Sequence, residues 1–449
     1  MNISRPYVAG IDSSTQSCKV LIVDPNSGAV VRSGRAEHPD GTEIDPEFWW
    51  QAFLQAVDDA EGLDDVAALS VGGQQHGMVC LDATGEVIRP ALLWNDTRSG
   101  AAAAELVDEA GDGDTARGGA WWADATGSVP VASLTVTKLR WLADHEPENA
   151  ARIAAVCLPH DWLTWKIAGT GQLADLVTDR SDASGTGYMA REGNVYRYDI
   201  LARALRISED RAEDIILPKI LGPWDQAGQG DAARGWADVV LGPGCGDNAG
   251  AALGVGLTTG QAMLSLGTSG VVAAVSANSV EDPSGLVTGF SDASGQWLPL
   301  ACTLNASRII DAIAEVIGAR YEEFDELALS VSDAGGLVLT PYFEGERTPN
   351  LPDATASLTG MTLANADRAH VARAGVEGLL VLMRGALDAV RASGAPIDRV
   401  LMVGGGAKSA AVRELAPSVL GVPVGVPVSG EYVALGAAKQ AQYVSEGLR

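Results

Sequence analysis

Tyr7-Val8-Ala9-Gly10-Ile11-Asp12 is an apolar run that ends on an acid and passes into a polar turn, Ser13-Ser14-Thr15-Gln16. Lys19-Val20-Leu21-Ile22-Val23-Asp24 follows at hairpin spacing, and Pro25-Asn26-Ser27-Gly28 supplies a second turn. Short β-rich runs bounded by Ser, Asn, Pro and Gly read as strands joined by tight turns. A related unit recurs far downstream. There Gln261-Ala262-Met263-Leu264-Ser265-Leu266 runs into Gly267-Thr268-Ser269-Gly270, and Val271-Val272-Ala273-Ala274-Val275 returns. Two strand–turn–strand units with hydroxyls and small residues at the bend point to an internal duplication.

Helical patterns lie between these units, at Phe48 to Ala60 and Ala101 to Ala110. In the second half Ala366 to Ala392 is a long helical pattern, and Val400-Leu401-Met402-Val403 is a short buried strand. That strand stops at Gly404-Gly405-Gly406, and a helical stretch follows from Ser409 to Leu420. Alternating strands and helices indicate an α/β class. The 449 residues exceed what one core organises. A Gly/Pro run at Leu241-Gly242-Pro243-Gly244 divides them into an N-terminal domain, 1–241, and a C-terminal domain, 242–449.

A hydrophobic content of 47% and a charged content of 20% fit a chain with substantial cores. The formal charge of -27 argues against nucleic acid or an anionic membrane as partner, since both need clustered Lys and Arg. It leaves a nucleotide site open, because a few backbone amides and one metal ion bind phosphates locally. Five scattered cysteines with no CxxC pair argue against a zinc site or a disulfide framework. No basic stretch with a long apolar core opens the chain, and no run of about 18 apolar residues occurs in it. A cytoplasmic location is therefore expected.

The chain has no Gly-Lys dipeptide, which excludes a P-loop. The alternative way to hold nucleotide phosphates uses two hairpin turns plus an acid for magnesium. Asp12 with Ser14 and Thr15, and Gly267-Thr268-Ser269-Gly270, fit those roles, although each turn alone is also an ordinary hairpin. Gly254-Val255-Gly256 with Gly260 closes a helix and precedes a strand, the reverse of a dinucleotide fingerprint. Asp247 lies between Gly244-Cys245-Gly246 and the small residues Ala249-Gly250-Ala251-Ala252. A helix N-cap explains it, and so does a base with room for a substrate beside it, so the residues leave both readings open. Gln74-Gln75-His76-Gly77 at the end of a strand from Val66 to Val71, and Trp94-Asn95-Asp96-Thr97-Arg98, offer the hydrogen-bonding groups and apolar face that a sugar needs. His38, His145, His160 and His370 are isolated in sequence and read as structural.

With these residues in view, the chain resembles the FGGY family of carbohydrate kinases nearly end to end. The matches include Glu43-Ile44-Asp45-Pro46, Gln74-Gln75-His76-Gly77, Leu93-Trp94-Asn95-Asp96-Thr97-Arg98 and Ser133 to Leu142. Thr178-Asp179, Gly246-Asp247-Asn248, Leu266-Gly267-Thr268-Ser269, Pro341 to Pro349 and Gly404-Gly405-Gly406-Ala407 complete them. The resemblance implies two actin-like (ribonuclease H-like) domains flanking a catalytic cleft. It implies ATP-dependent phosphorylation of a ketopentose, D-xylulose, to its 5-phosphate, with another ketose or polyol such as ribulose, or a sugar sensor without catalysis, as alternatives. The family's base maps to Asp247 and its magnesium-linked aspartate to Asp12. Its sugar contacts map to Gln75, His76, Asp96 and Asn248. Its ATP contacts map to Ser14, Thr15, Gly267, Thr268, Gly405 and Gly406. Dimers are common in the family, so a homodimer is expected. Two departures stand out: Ser13-Ser14 in the first turn, and Lys408 to Arg413, which lacks the usual Trp and Gln.

Overall fold

The computed structural model describes residues 5–447. Met1 to Ser4, part of the opening read above as lacking a leader, lie outside the described residues. The chain forms two compact units. The first comprises the chain up to Gly256, Gly289–Gln296 and the chain from Gly430 on; the second comprises Leu257–Thr288 and Trp297–Ser429. The expected division at 241/242 therefore falls earlier than the edge of the first unit, and Asp247 belongs with that unit rather than with the C-terminal half.

At the centre of the first unit is the opening run, a strand from Tyr7 to Ser13. It pairs antiparallel with Ser17–Val23, which pairs antiparallel with Val30–Glu37. On its other side it pairs parallel with Val66–Gly73. Val240–Leu241 and Cys245–Gly246 run parallel to that strand in turn. The central strand is an unbroken apolar run because both of its faces are covered. On one face Trp49, Phe53 and Ala56 of the helix Glu47–Asp59 pack with Ile11, Val20 and Ile22. On the other, Ala434, Ala438, Ala441 and Val444 of the helix Tyr432–Glu446 pack with Val8, Leu21 and Ala68.

The second of these contacts is close enough to decide side-chain size. A Cβ on Gly10 would stand 1.8 Å from the Ala434 carbonyl oxygen, so only glycine admits the helix. The helix Asp247–Val255 lies against Tyr432–Glu446 in the same way: a Cβ on Gly436 would stand 2.0 Å from the Gly250 oxygen, and one on Gly254 would stand 1.9 Å from the Tyr432 oxygen. This is why residues 242–256 fold with the first unit. It also corrects the reading of the small residues after Asp247, since Gly250 and Gly254 make room for a helix rather than for a ligand.

The second unit repeats the plan. Gly260–Leu266 pairs antiparallel with Gly270–Ala274, which pairs antiparallel with Trp297–Thr303. Gly260–Leu266 also pairs parallel with Ile397–Val403, and that strand with Val424–Gly425. A central strand, its hairpin partner, a third antiparallel strand and a parallel neighbour recur in one spatial order, which bears out the duplication read from the two hairpins. The helix Arg368–Ala392 buries Val371, Leu379, Met383 and Leu387 in this unit's core. All five cysteines are free. Among the described residues no helix is long and apolar enough to cross a membrane.

Gly436→Ala forces the two helices apart or bends them, and overpacking of this kind costs about 3 kcal/mol. The expected result is a lower urea midpoint with an unchanged slope. A midpoint equal to that of the parent would show that the helices stand off freely.

Candidate active site

Strand register brings the acids to one end of the first sheet. Asp12 sits opposite Gly72 in the parallel pair, and Gly72 sits opposite Cys245. Asp12, the Gly72-Gly73 step and the Cys245-Gly246 step thus end three neighbouring parallel strands, where open α/β sheets place their ligands. The 244–246 segment is clamped from two sides. Gly244 N donates to Ser70 Oγ at 3.1 Å, Ser70 Oγ to Gln440 Oε1 at 3.0 Å, and Gln440 Nε2 to the Gly244 carbonyl at 2.9 Å. Opposite, Gly246 N donates to Ser181 Oγ at 3.1 Å.

Asp247 follows at once as the first residue of its helix, with Gly246 as the N-cap, so the N-cap reading is set aside. Its Oδ1 accepts from Asn248 N at 2.7 Å and from Asn248 Nδ2 at 3.0 Å. That amide also donates to Gln75 Oε1 at 3.1 Å, while Gln75 Nε2 donates to the Ser181 carbonyl at 3.4 Å. Three of the expected residues therefore form one connected frame. Asp247 is half-buried. Burial, aided by the charge of Asp12 and opposed by the Asn248 bonds, pushes its carboxyl up to about 7. A carboxyl that titrates near neutrality and keeps an exposed margin can take a proton from a bound hydroxyl.

Asp12 is buried, and burial pushes its carboxyl up as well, against the Ser14 hydroxyl and the Lys19 ammonium. Ser14 Oγ donates to Asp12 Oδ1. Lys19 Nζ lies 3.5 Å from Asp12 Oδ2 and donates to Glu431 Oε2 at 2.6 Å. The Thr15 hydroxyl accepts from Trp94 Nε1 at 2.8 Å. Lys19 was not among the expected site residues, although the hairpin spacing that pairs it with Asp12 was visible in the sequence.

His76 adopts a left-handed backbone, φ 68°, unusual for a residue with a side chain. Its Nδ1 donates to the Gly185 carbonyl at 2.7 Å. The ring leans on Phe290 at 5.5 Å between centroids. Asp96 is buried, and its Oδ1 accepts from Arg98 N at 3.0 Å and from Arg98 Nε at 2.9 Å, its Oδ2 from Thr42 Oγ1 at 2.7 Å. Burial alone would raise this carboxyl, but those partners hold it below its ordinary value.

In the second unit, Ser265 pairs with Val403, so the Gly267-Thr268 turn and the Gly404-Gly406 run leave adjacent strand ends. The three glycines are not equivalent. Gly404 has φ 91° and would place a Cβ 2.7 Å from the Leu266 oxygen; a Cβ on Gly406 would stand 2.9 Å from Leu266 Cβ; one on Gly405 would meet nothing within 4 Å. Of the three, only Gly405 has open space where a side chain would stand. Glu346, inside the matched Pro341 to Pro349 stretch, is buried and accepts from Leu304 N at 2.7 Å and Asn305 Nδ2 at 2.9 Å, which makes it a structural tie.

The N-terminal domain model of the FGGY family of carbohydrate kinases matches residues 7–254, and the C-terminal domain model matches residues 262–444. The chain belongs to the FGGY family of carbohydrate kinases. This kinase is 44% identical over 445 residues to a xylulose kinase of Streptomyces coelicolor, covering 97% of this chain and 87% of the relative. It is 33% identical over 463 residues to a xylulose kinase of Escherichia coli, covering 96% and 89%. A crystal structure of xylulose kinase from Bifidobacterium adolescentis superposes with a TM-score of 0.93 at 51% identity, covering 99% of this chain and 93% of that one. Glycerol kinase of Plasmodium falciparum, at 20% identity and a TM-score of 0.85, shares the two-domain kinase fold.

The raised carboxyl of Asp247 sets the sign of a stability effect. Between the ordinary aspartate value of 3.8 and about 7 the folded chain keeps a proton that the unfolded chain has released. Stability from this residue is complete below the lower value and lost as pH rises through the upper one. Asp247→Asn keeps the Asn248 bonds and removes the charge, so it raises the melting temperature at pH 8 more than at pH 5. The exposed margin of Asp247 keeps the gain to a few degrees. Differential scanning calorimetry at the two pH values checks this, and an equal or smaller gain at pH 8 contradicts it.

Proposed function

We propose that this carbohydrate kinase phosphorylates D-xylulose to D-xylulose 5-phosphate with magnesium-ATP, and that Asp247 is its general base. The observation that carries the reading is the Asp247 carboxyl, pushed up to about 7 and framed by Asn248 and Gln75 beside the ends of three parallel strands. The xylulose kinases among its relatives supply the sugar. Their names alone would leave the base unassigned.

Ionised Asp247 accepts the proton of the terminal sugar hydroxyl as that oxygen bonds to the γ-phosphorus and the bond to the β-phosphate oxygen breaks, releasing ADP. Positioning and charge neutralisation, rather than covalent chemistry, make up most of catalysis in such transfers. Gln75, Asn248 and His76 hold the sugar hydroxyls, and Asp96 is assigned a further sugar contact. The turns at Ser14-Thr15 and Gly267-Thr268 are assigned to the phosphates, and Gly405-Gly406 to the adenosine.

Magnesium suits the residues near Asp12. Among the described residues Lys19 is the cation paired with both Asp12 and Glu431, and Asp12 also acts on Asp247, so the carboxylate oxygens outnumber the cation among them. Hard oxygen donors in excess fit a hard divalent ion that retains several waters. Asp12 would hold the ion, which when bound neutralises phosphate charge. The same reading carries a cytoplasmic location, where ATP and free sugar meet, and a homodimer, which light scattering tests.

ADP release from magnesium-ATP is measured with D-xylulose, D-ribulose, L-ribulose, glycerol and gluconate. D-Xylulose is expected to give the highest kcat/KM. Preference for another sugar reassigns the pocket, and silence across the panel overturns the kinase reading for this chain. Asp247→Ala is expected to lower kcat by about 10²–10⁴-fold with the KM for ATP nearly unchanged. The log of kcat/KM for the sugar rises with pH up to about 7 and then levels, since the base must be ionised. A profile flat from pH 5 to 8 would remove Asp247 from that role.

A further inference from the structure

His160 is wholly buried, and both of its ring nitrogens face carboxylates. Nδ1 lies 2.7 Å from Asp182 Oδ2. Nε2 lies 3.3 Å from Asp161 Oδ1 and 4.0 Å from Asp179 Oδ1. The three acids are buried to within 2% of complete enclosure. A neutral imidazole has one N–H, so with Asp161 and Asp182 both ionised one nitrogen would point its lone pair at a carboxylate in a dry interior, where that repulsion is severe. The ring is held tightly in place, because a Cβ on Gly244 would stand 2.3 Å from its Cδ2 and one on Gly73 2.8 Å from its Cβ. Both glycines belong to the strand ends that carry the site.

The acids connect to the frame around Asp247. Asp179 accepts from Ser181 N at 2.8 Å and from Asp182 N at 3.0 Å, which fixes the short helix Arg180–Ala183. Ser181 then accepts from Gly246 N through its hydroxyl and from Gln75 Nε2 through its carbonyl. We propose that His160 is a positioning residue, held as a doubly protonated imidazolium between Asp182 and Asp161, which fixes Ser181 and through it sets Gln75 and the strand end that presents Asp247. The kinetic part of this rests on Asp247 as the base; the protonation part does not.

The charged groups facing the ring are Asp161 on its own helix and Asp179 and Asp182 on the next segment, with Asp247 acting on Asp182. Burial disfavours the imidazolium, but the combined charge of Asp161, Asp182 and Asp179 outweighs it and holds the ring at about 10. The alternative use of this cluster is a buried cation site, since ligand atoms of His160, Asp161 and Asp182 lie within 4.8 Å of one another. His160 Nε2, Asp161 Oδ1 and Asp182 Oδ1 also lack a well-aligned hydrogen bond. The contact of 2.7 Å between Nδ1 and Asp182 favours a shared proton over an ion between them.

Ring resonances of the five histidines are followed from pH 5 to 9 in the intact protein, with His160 assigned through His160→Lys. One ring is expected to stay imidazolium throughout, and a neutral His160 at pH 8 overturns the proposal. Metal analysis of the purified protein is expected to find no tightly held divalent ion, and one equivalent lost together with ring signals typical of metal-bound imidazole overturns it as well. His160→Gln is expected to lower kcat/KM for the preferred sugar by about 10- to 100-fold with little change in the KM for ATP. His160→Lys, which restores a cation, recovers most of that loss. A folded His160→Gln with parental kcat/KM, or one that raises the KM for ATP equally, overturns the positioning role. If His160→Gln does not fold, the ring titration still decides.

Discussion

The carbonyl of Ala434 occupies the space that any side chain at position 10 would need. That contact seats the helix Tyr432–Glu446 on the central strand of the first sheet. The same helix then accepts Asp247–Val255 through Gly250, Gly254 and Gly436. Because the backbones touch, the distance between sheet and helices is set by atoms that cannot change rotamer, and side-chain repacking has little room to alter it. Asp12 and Asp247 hang from elements held at this spacing. Groups that must be held to within about half an ångström benefit from supports of this rigidity.

Around those supports the first unit gathers acids faster than it gathers cations. Asp12, Asp161, Asp179, Asp182 and Asp247 all have carboxyls raised chiefly by burial. Lys19 and His160 are the cations set among them. A stability-driven sequence would replace some of these acids, since a charge taken out of water without full pairing is costly. Retained, they leave a carboxylate whose proton affinity suits neutral pH and an excess of oxygen donors beside the Ser13-Gln16 turn. Buried acids kept at a cost in stability are the pattern expected of functional sites.

Much of this architecture was legible in the chain. The hairpins at Tyr7 to Asp24 and Gln261 to Val275 show themselves through apolar runs and turn residues, which are local signals. The parallel pairing of Tyr7–Ser13 with Val66–Gly73, and of Gly260–Leu266 with Ile397–Val403, has no local signature, so the sheets could be anticipated in class but not in order. Gln75, His76 and Asp247 were visible as polar residues at strand ends. What surrounds them was not. The small residues after Asp247 look like space for a substrate until the helix that fills that space, far downstream, is in place. His160 looks isolated because its partners Asp179 and Asp182 stand on a separate segment. In the glycine triplet, composition shows three equal residues, and only contact with Leu266 separates the two that packing demands from Gly405, which it does not.

The helix Tyr432–Glu446 has one more consequence, which concerns time. On a ribosome the strands of the first unit emerge early, yet one face of their sheet has no cover until residues beyond Gly430 are made. The segment from Leu257 to Ser429 holds most of a second core and is complete before that helix appears. At about 5–20 residues per second, the apolar surface of Val8, Leu21 and Ala68 waits tens of seconds for its partner. The unit whose strands are made first is therefore the last to be finished, and through that interval one face of its sheet stands uncovered.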